Sequence, residues 1–458
     1  MTGASLRTFD AAQLERRIAD EVATFVRARP KSQSLAEDAS RHWLNGVPMH
    51  WMQDWATPFP IFMRHAVGAR LIDVDGHEYA DFCLGDTGAM FGHSPPAIAA
   101  ALARQAAAGL TTMLPAERVV AVGERLSELF GLPFWQITQT ATDANRAALR
   151  WARAITGRAQ ILAFEGCYHG TLDETLVRLQ AGQTRARPGL IGSPFDNAAH
   201  TTLIEFNDLA ALEREFATGR YACVIAEPAM TNFGMVVPQP GFLAALRARS
   251  QAAGTLLLID ETHTLSAGLG GYTRLQQLEP DLFVCGKAIA GGYPCAVLGF
   301  TAAVESRMQQ VLAQRPAGHS GMGTTLAANA LAIACLDAAL ESVITADNYA
   351  RMADLAAALA SALQQLFARH RLAWHVSRVG ARLEFGFAAQ PPRNGSESAQ
   401  QMQPLLERAI HLYLLNRGVL LTPFHNMMLV SPATQPADID RLTRGLDACL
   451  SHLVGEMP

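Results

Sequence analysis

Apolar residues recur at two different spacings along this chain, and the change from one to the other marks its organisation. Leu14, Ile18, Val22 and Val26 repeat every fourth residue, predicting an amphipathic helix over 10–28. Pro30 is expected to close it, with a polar linker running to about Ala39. The aromatic stretch that follows holds Trp43, Trp51 and Trp55 without periodicity. It suits a ligand pocket, a subunit interface or an arm packed on its own core. Residues 61–82 alternate polar and apolar around Asp73-Val-Asp-Gly76, a hairpin signature. A glycine-containing loop over 85–93, a helix opened by Pro95-Pro96 and a second over about 116–130 come next.

From 134 the pattern becomes strand then helix. Strands are expected at 134–138, 160–164, 203–206, 221–226 and 256–260, and in the run that leads to Lys287. The spacing predicts helices over 146–156, 208–217 and 240–253, with 139–145 as a loop and 165–202 as a mostly polar passage. Short uninterrupted apolar runs are strands buried on both faces, and their alternation with helices predicts a mostly parallel sheet covered on both sides. After Gly318 the strict alternation ends. Helices are expected over 326–342, 347–369, 399–417 and 436–453, strands at 373–379, 381–388, 419–422 and 427–431, and a surface loop at 390–398. The predicted fold class is therefore α/β, with a large parallel-sheet domain over 83–318 and a smaller α+β domain over 319–458, joined by residues 1–82.

Composition narrows the function. At 458 residues, half of them apolar, the chain suits a two-domain enzyme. A net charge of −4 with scattered arginines argues against nucleic acid or an anionic membrane as partner. Seven dispersed cysteines without a CxxC pair predict neither disulfides nor a metal framework, and they fit a reducing compartment. The N-terminus has no apolar signal core and no run of about 18 apolar residues occurs, so a cytoplasmic protein is expected. No GxGxxG turn follows a strand, which disfavours a nicotinamide enzyme.

Of 37 lysines and arginines only Lys31 and Lys287 are lysines. Lys31 lies in a basic surface-like segment, whereas Lys287 follows an apolar strand in a glycine-rich loop. Arginine cannot replace lysine where a neutral amine must attack a carbonyl. Asp260 ends the neighbouring apolar run, and ligands of open α/β sheets sit beyond the carboxyl ends of strands. A lysine and an aspartate so placed suggest a Schiff base and a carboxylate holding a pyridinium nitrogen. Residues 139–145, rich in hydroxyls and opening a helix, offer a phosphate site, though such residues also cap helices for their own sake. Tyr168 and His169, in the loop after the next strand, would reach the same rim.

In order along the chain stand Asp73-Val-Asp-Gly-His-Glu-Tyr-Ala-Asp81, Gly92-His-Ser-Pro95, Thr156-Gly-Arg158, Phe164-Glu-Gly-Cys-Tyr-His-Gly170, Glu227-Pro228, Pro238-Gln-Pro-Gly-Phe-Leu243, Asp260-Glu261, Gly286-Lys287 with Gly291-Gly292, and Thr324-Thr-Leu-Ala-Ala-Asn329. The set resembles the fold-type I, class III pyridoxal-phosphate aminotransferases over roughly 58–440, especially the branch with glutamate-1-semialdehyde aminomutase. The resemblance implies that Lys287 binds pyridoxal 5′-phosphate as a Schiff base and carries the proton, and that Asp260 keeps the ring nitrogen protonated. It implies Tyr168 on one ring face with Thr262 on the other, Thr140, Ala141 and Thr142 at the phosphate, and His169 and Glu227 close by. Thr325 would complete the phosphate cup of a neighbouring subunit, making a homodimer.

Departures bear on the substrate. His263 stands where the branch often has methionine, as a tuner of Asp260 or as a structural histidine. Val47-Pro-Met-His-Trp51 lacks the branch's carboxylate-binding arginine, and Thr422-Pro-Phe-His-Asn426 lacks the acid of its gating segment. Trp51, Trp55, Phe424 and His425 are the expected substrate contacts. The expected function is an aminotransferase that passes an amino group from an amine or amino acid to a carbonyl compound by ping-pong half-reactions. The alternative is an intramolecular aminomutase, or a racemase, on the same scaffold, and a binding protein that has lost catalysis is a third.

Overall fold

The computed structural model describes residues 9–193, 195–316 and 321–454. They form two compact units: one of Pro96–Tyr349 with Pro392–Gln400, the other of the described residues up to Pro95, Ala350–Pro391 and those from Gln401 on. The boundary expected at 318 lies outside the described residues, and the stretch from 321 to Tyr349 clusters with the first unit.

The first unit is built on seven strands: β1 (Phe134–Thr138), β2 (Gln160–Phe164), β3 (Thr201–Ile204), β4 (Tyr221–Ala226), β5 (Leu256–Asp260), β6 (Leu282–Cys285) and β7 (Ala296–Phe300). Their order is β1-β7-β6-β5-β4-β2-β3. All run parallel save β7, which is antiparallel to both neighbours. Successive residues of β5 feed opposite cores: Leu256 and Leu258 pack with the helix Ala141–Thr156 on one face, Leu257 and Ile259 with Phe242 and Leu246 on the other. Burial of both faces is why these strands read as unbroken apolar runs.

The second unit holds a four-stranded sheet, Met63–Val67, Arg70–Asp73, Glu78–Asp81 and Val419–Leu420, and a three-stranded one, His375–Val379, Arg382–Gly386 and Met427–Leu429. The expected hairpin around 73–76 is the pair Arg70–Asp73 and Glu78–Asp81.

Several expectations are corrected. Pro30 opens a helix, Pro30–Ala39, where a linker was expected: with no N–H and a fixed φ, proline fits a first helical position. The polar passage before 202 contains the hairpin Val177–Gln180 and Gln183–Ala186, and the expected surface loop ends in the helix Gly395–Gln401. Helix Ala141–Thr156 takes in most of the expected loop 139–145, because extended Thr140 caps it by accepting from Asp143 N. The run to Lys287 ends as a strand at Cys285, so Lys287 begins a separate turn, Lys287–Ala290.

Candidate active site

Asp260 is the last residue of β5, level with Val284 of β6, and is buried. Its Oδ2 accepts from Asn145 Nδ2 at 2.8 Å and from His169 Nδ1 at 3.0 Å, while Oδ1 accepts from Thr262 N at 3.2 Å. Burial alone would raise the carboxyl. The hydrogen bond and charge of His169, with Thr262 and Asn145, overcome it and hold Asp260 below the ordinary carboxylate value. Because the carboxylate can only accept, Nδ1 of His169 carries a proton. That leaves Nε2 buried without a partner among the described residues, as is Asn145 Oδ1. Asn145 escaped the sequence reading. Its signal is a single amide among Ala144, Ala147 and Ala148 on the buried face of a helix.

Lys287 follows Gly286 with φ of +49°, a left-handed conformation uncommon for a side chain of its length. Nothing in the strand pattern could have announced it. Gly286 N donates to Thr262 Oγ1 at 3.2 Å, so Thr262 bonds both to the aspartate and to the backbone beside the lysine. A Cβ on Gly286 would stand 3.0 Å from Ala141 Cβ, so glycine there lets the helix N-terminus approach the lysine turn. Lys287 Nζ lies 2.6 Å from His263 Nε2, and His263 Nδ1 lies 2.9 Å from Thr231 Oγ1. His263 thus reaches the lysine.

Glu227 is buried, its Oε1 accepting from Tyr168 N at 3.1 Å and its Oε2 from Thr231 N and Oγ1 at 3.2 and 2.9 Å. Burial pushes its carboxyl up, against the His169 charge and these bonds. At the other end of the site, Ala141 and Thr142 occupy the first helical turn, whose N–H groups precede any intrahelical bond. Thr140 Oγ1 is engaged with Asp143, and Thr142 Oγ1 accepts from Thr171 N at 3.2 Å. Thr325 is exposed in a turn. Trp51, Trp55, Phe424 and His425 belong to the second unit, where His425 Nδ1 lies 2.9 Å from Glu384 Oε1.

The donor set fits a pyridoxal phosphate. A lysine amine, a buried carboxylate held ionised by an amide and an imidazole, and open backbone donors at a helix N-terminus converge at the carboxyl ends of the strands. Among the described residues, no group of three His, Cys, Asp or Glu side chains could hold a metal, and no helix is long and apolar enough to cross a membrane.

The class-III aminotransferase family model matches residues 51–450. A glutamate-1-semialdehyde 2,1-aminomutase of Syntrophomonas wolfei is 31% identical over 403 residues, 87% of this chain and 92% of its own. A crystal structure of a glutamate-1-semialdehyde aminomutase from Pseudomonas aeruginosa is 46% identical with a TM-score of 0.95, covering 97% of this chain and 99% of that one. A lysine-to-alanine variant of that enzyme was solved in complex with PMP. An omega-transaminase from Sphaerobacter thermophilus is 27% identical, with a TM-score of 0.85 over 93% of this chain and 98% of that one.

Proposed function

Since the chain belongs to the class-III aminotransferases and takes pyridoxal 5′-phosphate as its cofactor, we propose that it moves an amino group within one substrate molecule, as an aminomutase does. The observation that carries this reading is 46% identity over nearly the whole chain to an aminomutase. It favours the intramolecular alternative over the intermolecular transferase placed first from sequence.

When bound, the cofactor supplies an electron sink that acidifies the hydrogen on an amine-bearing carbon. Asp260, kept ionised by His169 and Asn145, would hold the ring N–H, and the first turn at Ala141 and Thr142 would hold the phosphate. Tyr168 and Thr262 would flank the ring, with Glu227 and His169 bracing them. Lys287 Nζ would carry the covalent link and, once released, take and return the substrate proton. Thr140 supports the phosphate turn through its cap on Asp143. The proposal includes a homodimer, with Thr325 serving the partner's phosphate, and substrate contacts from Trp51, Trp55, Phe424 and His425.

The second reading, an aminotransferase, rests on a specific observation. Segment 47–51 has no arginine and segment 422–426 no acid, which moves the substrate toward aromatic or neutral chemistry. The two readings part on stoichiometry. Glutamate-1-semialdehyde and other compounds with neighbouring amine and carbonyl groups are incubated singly with the holoenzyme, then a panel of amines with pyruvate or 2-oxoglutarate. Turnover of a single compound to its amino-shifted isomer supports the aminomutase. A strict requirement for one equivalent of keto acid overturns it in favour of the transferase.

A further inference from the structure

His263 is not among the residues that would hold the cofactor. His263 is buried, directly follows the Asp260-Glu261-Thr262 run, and its two ring nitrogens reach two different functional groups. Nε2 lies 2.6 Å from Lys287 Nζ, and Nδ1 lies 2.9 Å from Thr231 Oγ1.

The proton positions along this chain of contacts follow from what each group can do. Glu227 Oε2 receives Thr231 N–H, which can only donate, and the Thr231 hydroxyl as well. Tyr168 N–H donates to the other oxygen, and with Glu227 ionised both of its oxygens act only as acceptors. With its own proton committed to Glu227, Thr231 Oγ1 offers only lone pairs to the ring. His263 must therefore carry its proton on Nδ1 and donate it to Thr231, leaving a lone pair on Nε2. That lone pair meets Lys287 Nζ, which donates. The series Glu227–Thr231–His263–Lys287 fixes one tautomer of one imidazole and aims its basic nitrogen at the reactive amine.

We propose that His263 is a positioning residue for Lys287, accepting a hydrogen bond from Nζ whenever the lysine is not covalently linked and holding it where it joins the cofactor. A lysine side chain has four rotatable bonds, and the left-handed backbone at Lys287 already constrains where they begin. One acceptor at the far end reduces the remaining freedom. It also takes a proton when the amine must be neutral: an N–H bond at Nζ breaks, an N–H bond at Nε2 forms, and the electron pair stays on Nζ ready for attack. Methionine, which the resembling branch often carries at this place, is only a weak acceptor through sulfur and fixes no such geometry.

The inference rests on Lys287 forming the covalent link and is independent of whether the amino group moves within or between molecules. The test uses the full-length chain stripped of cofactor, with two probes that differ in their need for the lysine. Pyridoxal 5′-phosphate must react with Lys287 and is followed by absorbance and by borohydride trapping. Pyridoxamine 5′-phosphate binds without the lysine and is followed by calorimetry. For His263→Met the attachment rate of the first falls on the order of tenfold, while the dissociation constant of the second stays within about twofold. Thr231→Val, which leaves the lysine's own contacts in place, slows attachment in the same direction by less, and His263→Gln, which keeps an acceptor, restores part of it. If His263→Met does not fold, the Thr231→Val and His263→Gln pair decides the matter alone. An unchanged attachment rate overturns the inference, and so does a parallel loss for both probes, which marks a merely structural histidine. Failure of wild type to trap pyridoxal phosphate on Lys287 would instead strike at the covalent role itself.

Discussion

Asp260 shows how much a single ionised group depends on its neighbours. A buried carboxylate with no partners would take up a proton, and here three donors prevent it. The consequence has a sign. With a folded-state pKa below its unfolded value, Asp260 adds stability that is present above the unfolded pKa of about 3.9 and is lost as pH falls through the folded value. Asn145→Leu removes one donor and should cost about 1–3 kcal/mol in urea unfolding at pH 7, with the gap to wild type closing as pH drops below about 4. A gap independent of pH would place the cost in packing instead. Asp260 and Lys287 were legible in the sequence because each stands where an apolar run ends and lysine is otherwise almost absent. Asn145 and Thr231 were not. Their roles come from contacts across 115 residues in one case and 32 in the other, and no local pattern carries those distances.

The proposed phosphate site depends on how closely a loop can approach a helix. Gly170 has φ of +81°, and a Cβ on it would collide with Thr142 Oγ1 in the first turn of Ala141–Thr156. Gly170→Ala should therefore destabilise the protein by about 1–2 kcal/mol and speed loss of cofactor on dialysis, read by thermal unfolding and residual absorbance. In the strand Arg382–Gly386, Glu384 meets His425. Burial would lower His425, but the charge and hydrogen bond of Glu384, with Asp86, raise it above its ordinary value. Its contribution is complete below the unfolded pKa of about 6.5 and disappears as pH rises through the folded value. Glu384→Gln should thus cost more at pH 6 than at pH 9, by about 1–3 kcal/mol at the lower pH, in denaturant titrations. The strands of the large sheet were readable because both faces are apolar. The hairpin Val177–Ala186 was not, since Gln180, Gln183 and Arg185 keep it mostly polar, and the helix at Pro30 was hidden by reading proline only as a stop.

For the whole molecule, the order of motifs along 458 residues identified the family, while the division into units followed packing that local signals do not encode. The proposed dimer has its own consequence. If Thr325 serves the partner's phosphate, mixing and reassociating inactive Lys287→Ala with inactive Thr325→Glu chains should return roughly a quarter of wild-type turnover, because one site of each mixed dimer is intact. No recovery, with mixed dimers verified by mass, would confine each site to one chain. The proposed link of Lys287 to pyridoxal 5′-phosphate is simple to check because lysine is so scarce. The holoenzyme is reduced with borohydride, digested, and its pyridoxyl-modified peptide sequenced by mass spectrometry. One modified lysine, Lys287, is expected in stoichiometric yield and absent from Lys287→Ala; modification at Lys31, or none at either lysine in a protein that turns over, would contradict the covalent role of Lys287.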